Sequence, residues 1–255
     1  MGVLNVTPDS FSDGGRYLDP AAAIAQARRM IAEGADILDV GAESTRPYVG
    51  AQPVGLDEEK ARLAFILPEI VALGTPVSID TLKSPIAAWA LDVGAAIVND
   101  VWGLQRDPDM ADVVAEYRVP VVIMHNRDIA DPGIDIIADV TSFFDRSLEI
   151  AAHAGIARDR IVLDPGIGFG KTAGQSMLCI ARLDAWHSFN LPILVGASRK
   201  RFIHAVSPAD PMQRLGGSLA AHLVAVENGA AIVRVHDVAP TVQALAVAAA
   251  IRHAQ

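Results

Sequence analysis

Short β-branched runs alternate with longer amphipathic stretches along the whole chain. Runs at residues 2–5, 37–40, 76–79, 96–99, 120–124, 161–163, 193–195 and 232–235 predict buried strands. Between them, apolar residues recur every three to four positions at residues 21–33, 56–73, 85–93, 108–116, 134–154, 176–188, 212–228 and 240–253, which predicts helices. The result is eight βα units. Several boundaries carry their own mechanism. Asp19-Pro20 supplies a capping side chain and a proline at the first helical position. Gly34, Gly74, Gly94, Gly155 and Gly229 follow helical stretches, where glycine takes the left-handed conformation that ends a helix.

Alternation of this kind implies a parallel sheet with helices outside it. Eight units in 255 residues fit a closed (β/α)8 TIM barrel of the α/β class, one domain over residues 1–255. The competing architecture is an open doubly wound sheet. Its Gly-x-Gly-x-x-Gly signature is not supplied by Gly14-Gly15. Composition agrees with a packed domain: 51% of residues are hydrophobic and 20% charged, which excludes a disordered chain. The net charge of −9 argues against non-specific nucleic-acid binding. No long uninterrupted apolar run and no basic-apolar leader at Met1 points to a membrane or to export. A lone cysteine, Cys179, excludes an internal disulfide and reads as a small core residue of a cytoplasmic protein.

Polar residues collect where the predicted strands end. Asn5 closes the first, followed by Thr7, Asp9, Ser12 and Asp13. The second leads through Asp39 to Glu43-Ser44-Thr45-Arg46, and the third to Asp80-Thr81. Asn99-Asp100, His125-Asn126-Arg127 and Asp164 end the next three. The last two lead to Ser198-Arg199-Lys200-Arg201 and to Arg234, His236 and Asp237. In a barrel enzyme this is the catalytic face. Helix capping accounts for some of these residues, but Asn5, Asn99, Asp164 and Lys200 lie too far ahead of the next predicted helix to cap it. Asp80, Asn99 and Asp164 form an acceptor-rich set suited to a flat heterocycle with several N–H donors. Lys200, Arg234 and His236, with Arg46, form an opposite, cationic side suited to phosphate or carboxylate. Asn5 with a nearby acid offers oxygen to Mg2+.

Asp164-Pro-Gly-Ile-Gly-Phe-Gly-Lys171-Thr172 is not a P-loop, because the glycine spacing is wrong and position 165 is proline. It predicts a mobile loop over the barrel mouth, with an exposed Phe169 placed to stack on a planar ligand. The histidines offer no zinc spacing. His153, His187, His204 and His253 read as surface residues and His222 as structural. Trp89, Trp102 and Trp186 read as packing residues, and Asp57-Glu58-Glu59-Lys60 as a solvated first helical turn.

The opening Met-Gly-Val-Leu-Asn-Val-Thr-Pro-Asp-Ser-Phe-Ser-Asp-Gly-Gly resembles a signature of the dihydropteroate synthase family, the folate-pathway enzymes that sulfonamides target. Asp39-Val-Gly-Ala-Glu-Ser-Thr-Arg-Pro47 resembles a second. Ser78-Ile-Asp-Thr81, Asn99-Asp100, Leu163-Asp-Pro-Gly-Ile-Gly-Phe-Gly-Lys171, Ser198-Arg-Lys200 and Arg234-Val-His236 follow in family order. The resemblance covers nearly the whole chain. It implies a (β/α)8 barrel that joins 6-hydroxymethyl-7,8-dihydropterin pyrophosphate to p-aminobenzoate, releasing pyrophosphate and 7,8-dihydropteroate. It implies that Asp80, Asn99, Asp164 and Lys200 bind the pterin, that Arg234 and His236 bind the pyrophosphate, and that Asn5 helps hold Mg2+. Asp13 and Arg46 would join Lys200 in catalysis from loops one and two, and Phe11, Ser12, Thr45, Pro47 and Phe169 would form the p-aminobenzoate pocket. A homodimer through the C-terminal barrel helices is also implied. An SN1-like displacement fits these residue types. Breaking the C–O bond leaves positive charge on the pterin methylene, supported by the acidic floor, and negative charge on pyrophosphate, met by cations.

Three departures from the family pattern bear on drug response. Loop two, Arg46-Pro-Tyr-Val-Gly-Ala-Gln-Pro-Val54, is two residues longer than the usual form. Asn126 stands where an apolar residue is expected, and Arg201 where many members have serine. A corrinoid-linked methyltransferase-like homologue or a non-catalytic pterin-binding protein is the alternative. Neither needs the full set of Asp13, Arg46, Lys200, Arg234 and His236.

Overall fold

The computed structural model describes residues 1–6, 19–43 and 54–254. Six strands, β1 (Gly2–Asn5), β2 (Leu38–Gly41), β3 (Val77–Asp80), β4 (Ile97–Asp100), β5 (Val121–Met124) and β6 (Ile161–Asp164), pair in parallel in chain order. Strands β7 (Leu194–Val195) and β8 (Ile232–Val233) pair with each other. Two parallel bridges join these sheets into a ring, Leu163 to Ile193 and Gly2 to Val235. Backbone bonds at those seams run from Leu163 N to Pro192 O (2.9 Å) and from Val3 N to Val235 O (2.9 Å). The barrel is closed, and the doubly wound alternative falls.

The helices are α1 (Pro20–Ala32), α2 (Leu56–Ala64), α3 (Leu67–Val71), α4 (Ser84–Val93), α5 (Met110–Tyr117), α6 (Ile136–Ala154), α7 (Ala173–Ala181), α8 (Arg201–Val206), α9 (Leu215–Glu227) and α10 (Val238–His253). Asp19 caps α1 through the amides of Ala21 and Ala22, with Pro20 in its first turn. All five glycines expected to end helices have positive φ. Among the described residues no helix is long and apolar enough to cross a membrane.

Three helical expectations change. The stretch predicted at 56–73 breaks into α2 and α3, because Pro68 has no N–H and its ring clashes with the preceding turn. The stretch predicted at 176–188 begins earlier, at Ala173, where Thr172 and Gln175 form a reciprocal capping box. It ends at Ala181 and continues as a 3-10 turn, Leu183–Phe189. The short α8 is unpredicted, and it makes Lys200 the residue at a helix N-cap, although that side chain does not cap.

Val40, Ile79, Val98 and Ile123 from the strands meet Ala27, Leu63, Ile86, Val114 and Phe144 from the helices in a continuous apolar core. Cys179 and Trp186 are fully buried in it, and the Trp186 indole donates to Thr141 Oγ1 (3.1 Å). His222 is buried as expected for a structural residue. Its Nε2 accepts from Ala197 N (3.2 Å) at the end of β7, and burial pulls its imidazole down to about 4.

Candidate active site

Parallel register brings the strand ends together. Gly41 of β2 pairs with Asp80 of β3, which pairs with Asn99 of β4. A Cβ on Gly41 would sit 3.1 Å from Asp80 Cβ, so glycine keeps the space beside that carboxylate open. Asp39, one pleat lower on β2, is fully buried. Its Oδ2 accepts from Asn99 Nδ2 (3.1 Å) and from Arg234 Nε (2.6 Å). Arg234 Nη2 donates to Asp80 Oδ2 (2.7 Å). Asp164, at the end of β6, accepts from Gly166 N (2.7 Å).

A buried carboxylate resists ionisation unless partners compensate. Burial pushes Asp80 up to about 7, against the pull of Arg234. Burial likewise raises Asp164 to about 6, opposed by the Gly166 amide. Burial also works against the Arg234 guanidinium, but Asp39 and Asp80 hold it above its ordinary range. Asp39 Oδ1 and Asp80 Oδ1 are buried without a hydrogen-bond partner among the described residues. Open acceptors on buried carboxylates suit a ligand edge carrying N–H donors. Ionisation of Asp80 and Asp164 between about pH 6 and 7 makes them stronger acceptors. Affinity for a guanidine-like heterocycle is therefore expected to rise from pH 5 to pH 8, as titration calorimetry across that range would check.

Lys200 approaches from the other side. Arg199, just before it, has φ 58, a left-handed conformation that costs a non-glycine residue roughly 1 kcal/mol. Several contacts hold it there. Its amide donates to Ser218 Oγ (2.9 Å), its Nε to Asp237 Oδ2 (3.0 Å), and its carbonyl accepts from Arg214 Nη1 (3.1 Å). With that turn fixed, the Lys200 ammonium lies 4.0 Å from the centroid of the Phe169 ring. His236 turns its amide (3.2 Å) and Nδ1 (3.0 Å) to Ser198 Oγ.

The structure therefore gathers Asp80, Asn99, Asp164, Lys200, Phe169 and Arg234 around the strand ends, with half-buried His236 and Asn5 closing β8 and β1. Arg234 stands on the acceptor floor and not opposite it. Phe169 is buried rather than exposed, packed with Val101 and Met124. Glu59 is not solvated. It is fully buried, accepting from Thr81 Oγ1 (2.7 Å) and Lys83 Nζ (2.5 Å), because the first turn of α2 packs on the end of β3. Asn126 turns its Oδ1 to Arg127 N (2.8 Å) and lines a cavity of about 310 Å³. Asp13, Arg46, Phe11, Ser12, Thr45 and Pro47 lie outside the described residues. Asp39 was missed as part of the floor. Its charge inside a β-branched run was the available signal. No group of three or more His, Cys, Asp or Glu among the described residues forms a metal cage. Asn5 contributes one hard oxygen donor, which fits Mg2+ when substrate phosphate and water complete the shell.

The sequence matches the pterin binding enzyme family over residues 1–236. The dihydropteroate synthase of Bacillus subtilis is 45% identical over 239 residues, covering 93% of this chain and 83% of that relative. This chain belongs to the dihydropteroate synthase family. Solved members of that family share its fold closely. A dihydropteroate synthase from Clostridium difficile, in the presence of pteroic acid, has TM-score 0.93 at 43% identity and covers 98% of this chain and 95% of its own. The Xanthomonas albilineans dihydropteroate synthase with 4-aminobenzoic acid has TM-score 0.93 at 43% identity, covering 98% and 92%. The described parts of the dihydropteroate synthase motifs, at residues 39–41, 78–81, 99–100, 163–171, 198–200 and 234–236, thus sit at the strand ends of the fold they imply.

Proposed function

We propose that this chain condenses 6-hydroxymethyl-7,8-dihydropterin pyrophosphate with p-aminobenzoate to 7,8-dihydropteroate and pyrophosphate. The observation that carries this reading is the buried floor of Asp39, Asp80, Asn99 and Asp164, with open carboxylate acceptors, faced by Lys200 on the Phe169 ring. The floor binds and orients the amino-substituted edge of the pterin. Its negative charge also favours the cation that forms on the pterin methylene as the C–O bond breaks. The bonding pair leaves with pyrophosphate, whose charge is met by Lys200, His236 and Arg46. The amine lone pair of p-aminobenzoate then forms the C–N bond, and its surplus proton goes to water. No covalent enzyme intermediate is needed.

Asp13 and Arg46 are assigned to the catalytic step by their place in the motifs, and Phe11, Ser12, Thr45 and Pro47 with Phe169 to the p-aminobenzoate pocket. Asn5 is the residue that would hold Mg2+, which supplies charge neutralisation on the departing pyrophosphate. We also read the chain as a cytoplasmic homodimer. Val224 of α9 and Val247 and Ile251 of α10 are exposed apolar residues on adjacent helices, which supports that reading.

The purified chain, given both substrates and Mg2+, is expected to release dihydropteroate and pyrophosphate in equal amounts. Tight pterin binding without either product would replace this reading with a non-catalytic pterin-binding protein.

A further inference from the structure

The glycine-rich connection after β6 is held by a side chain that the proposed chemistry does not use. Lys171 is almost fully buried. Its ammonium reaches His125 Nδ1 (2.6 Å), Gly166 O (3.0 Å) and Phe169 O (3.2 Å), one acceptor for each of its three protons. His125 Nε2 in turn lies 3.0 Å from Asp139 Oδ2, and Arg127 Nη1 donates to Asp139 Oδ1 (2.8 Å). This relay fixes the imidazole. Nδ1 must offer its lone pair to Lys171, so the proton sits on Nε2 and points at Asp139. Burial, followed by the Lys171 charge, holds the His125 imidazole down to about 3, which keeps it neutral. Burial draws the Lys171 ammonium down to about 8, with Asp164 and Asp139 acting to keep its proton and Arg127 acting to remove it.

The backbone of the connection is seated on the end of β5 with no spare room. Gly166 has φ +66, and a Cβ there would lie 1.9 Å from His125 O. Gly170 has φ +52, and a Cβ would lie 2.4 Å from Arg127 O. Two ends of the site hang from this seat. The Gly166 amide is the donor to Asp164, and the Phe169 ring is the surface beneath Lys200.

We propose that Lys171 is a positioning residue for the pterin site, gathering His125 and the Gly166 and Phe169 carbonyls on one ammonium so that Phe169 is set against Lys200 and the Gly166 amide against Asp164. The inference rests on the synthase reading for the ligand it names. Neither Lys171 nor His125 need touch substrate.

Lys171→Met preserves the apolar stem and removes all three donors. Two measurements separate positioning from mere support. The first is pterin pyrophosphate affinity by calorimetry, taken well below the melting temperature of each variant. The second is hydrogen exchange at residues 166–170. Lys171→Met is expected to bind the pterin about 10- to 100-fold more weakly and to exchange faster in that segment, while folded. Combined with Phe169→Ala, it is expected to cost clearly less than the sum of the two single losses, because that ring is one of the two groups Lys171 sets. Wild-type affinity in the folded Lys171→Met protein overturns the proposal, as do losses that simply add. Absence of turnover by the unaltered chain overturns the synthase reading instead. Hydrogen exchange then still decides the seating, since unchanged exchange in Lys171→Met removes it.

Discussion

Asp164→Asn is expected to lower kcat/KM by roughly 100- to 1000-fold, about 3–4 kcal/mol of transition-state binding, while making the protein more stable at neutral pH. The two signs follow from one carboxylate. Asparagine keeps an oxygen for the Gly166 amide, so the local turn survives. It loses the negative charge that would meet the pterin edge and the developing methylene cation. For stability, the folded carboxyl titrates at about 6, against an ordinary value of 3.8, because burial opposes its charge. Between those values the folded state binds the extra proton, so ionisation costs stability as pH rises from about 4 to 6. Above that window the full penalty is present, of order 3 kcal/mol by the size of the shift. Asparagine never ionises and escapes it. Thermal unfolding is therefore expected to show the variant above the parent at pH 7.5 and level with it near pH 4. Steady-state kinetics with both substrates check the other half. Unchanged kcat/KM would remove Asp164 from the pterin contacts.

How much of this was legible depends on the physics behind each signal. Strand positions came through because parallel barrel strands are buried on both faces and read as apolar runs. Strand ends came through because a run that stops at Asp80, Asn99 or Asp164 places a costly group where only a ligand or a partner could justify it. Contacts between elements did not come through. Nothing local says that Arg234 reaches across the ring to Asp39 and Asp80, since that depends on barrel closure at the Gly2–Val235 bridge. Glu59 misled for the same reason: its neighbours Asp57 and Glu58 are exposed, and only the docking of α2 on Thr81 and Lys83 buries it. Phe169 looked exposed because it is flanked by glycines. Gly170 instead lets the backbone press against Arg127 just beyond β5, Gly168 leaves room for the Lys200 stem, and the ring between them is buried. The capping box at Thr172 went unread although its Thr-x-x-Gln spacing stands in the sequence, and the break before Pro68 was hidden by an unbroken apolar period.

Arg234→Met is expected to be the most destabilising single change in the site, about 3–5 kcal/mol at pH 7.5, because it strands buried carboxylates without their counter-charge. Methionine matches the stem of arginine and leaves little cavity, so the loss reports on charge more than on packing. The pH dependence separates this from general damage. Arg234 pulls Asp80 down to about 7 against burial, so its removal sends that carboxyl higher still. The parent stops losing stability through Asp80 once pH passes about 7, whereas the variant goes on losing it until its own, higher value. The gap in unfolding free energy contributed by Asp80 is thus expected to widen from pH 7 to pH 9 and to be small at pH 5. A gap independent of pH would mean that packing, not the ion pair with Asp80, was lost. Adding Asp80→Asn removes the stranded charge and is expected to recover part of the stability, giving a double variant more stable than Arg234→Met alone. Turnover is not expected to recover with it, because the double variant lacks both the Asp80 carboxylate that would receive the pterin and the guanidinium beside it. Stability and activity then part in the same protein, which is the behaviour of a floor whose buried carboxylates cost the fold unless Arg234 pairs with them and serve the ligand when it binds.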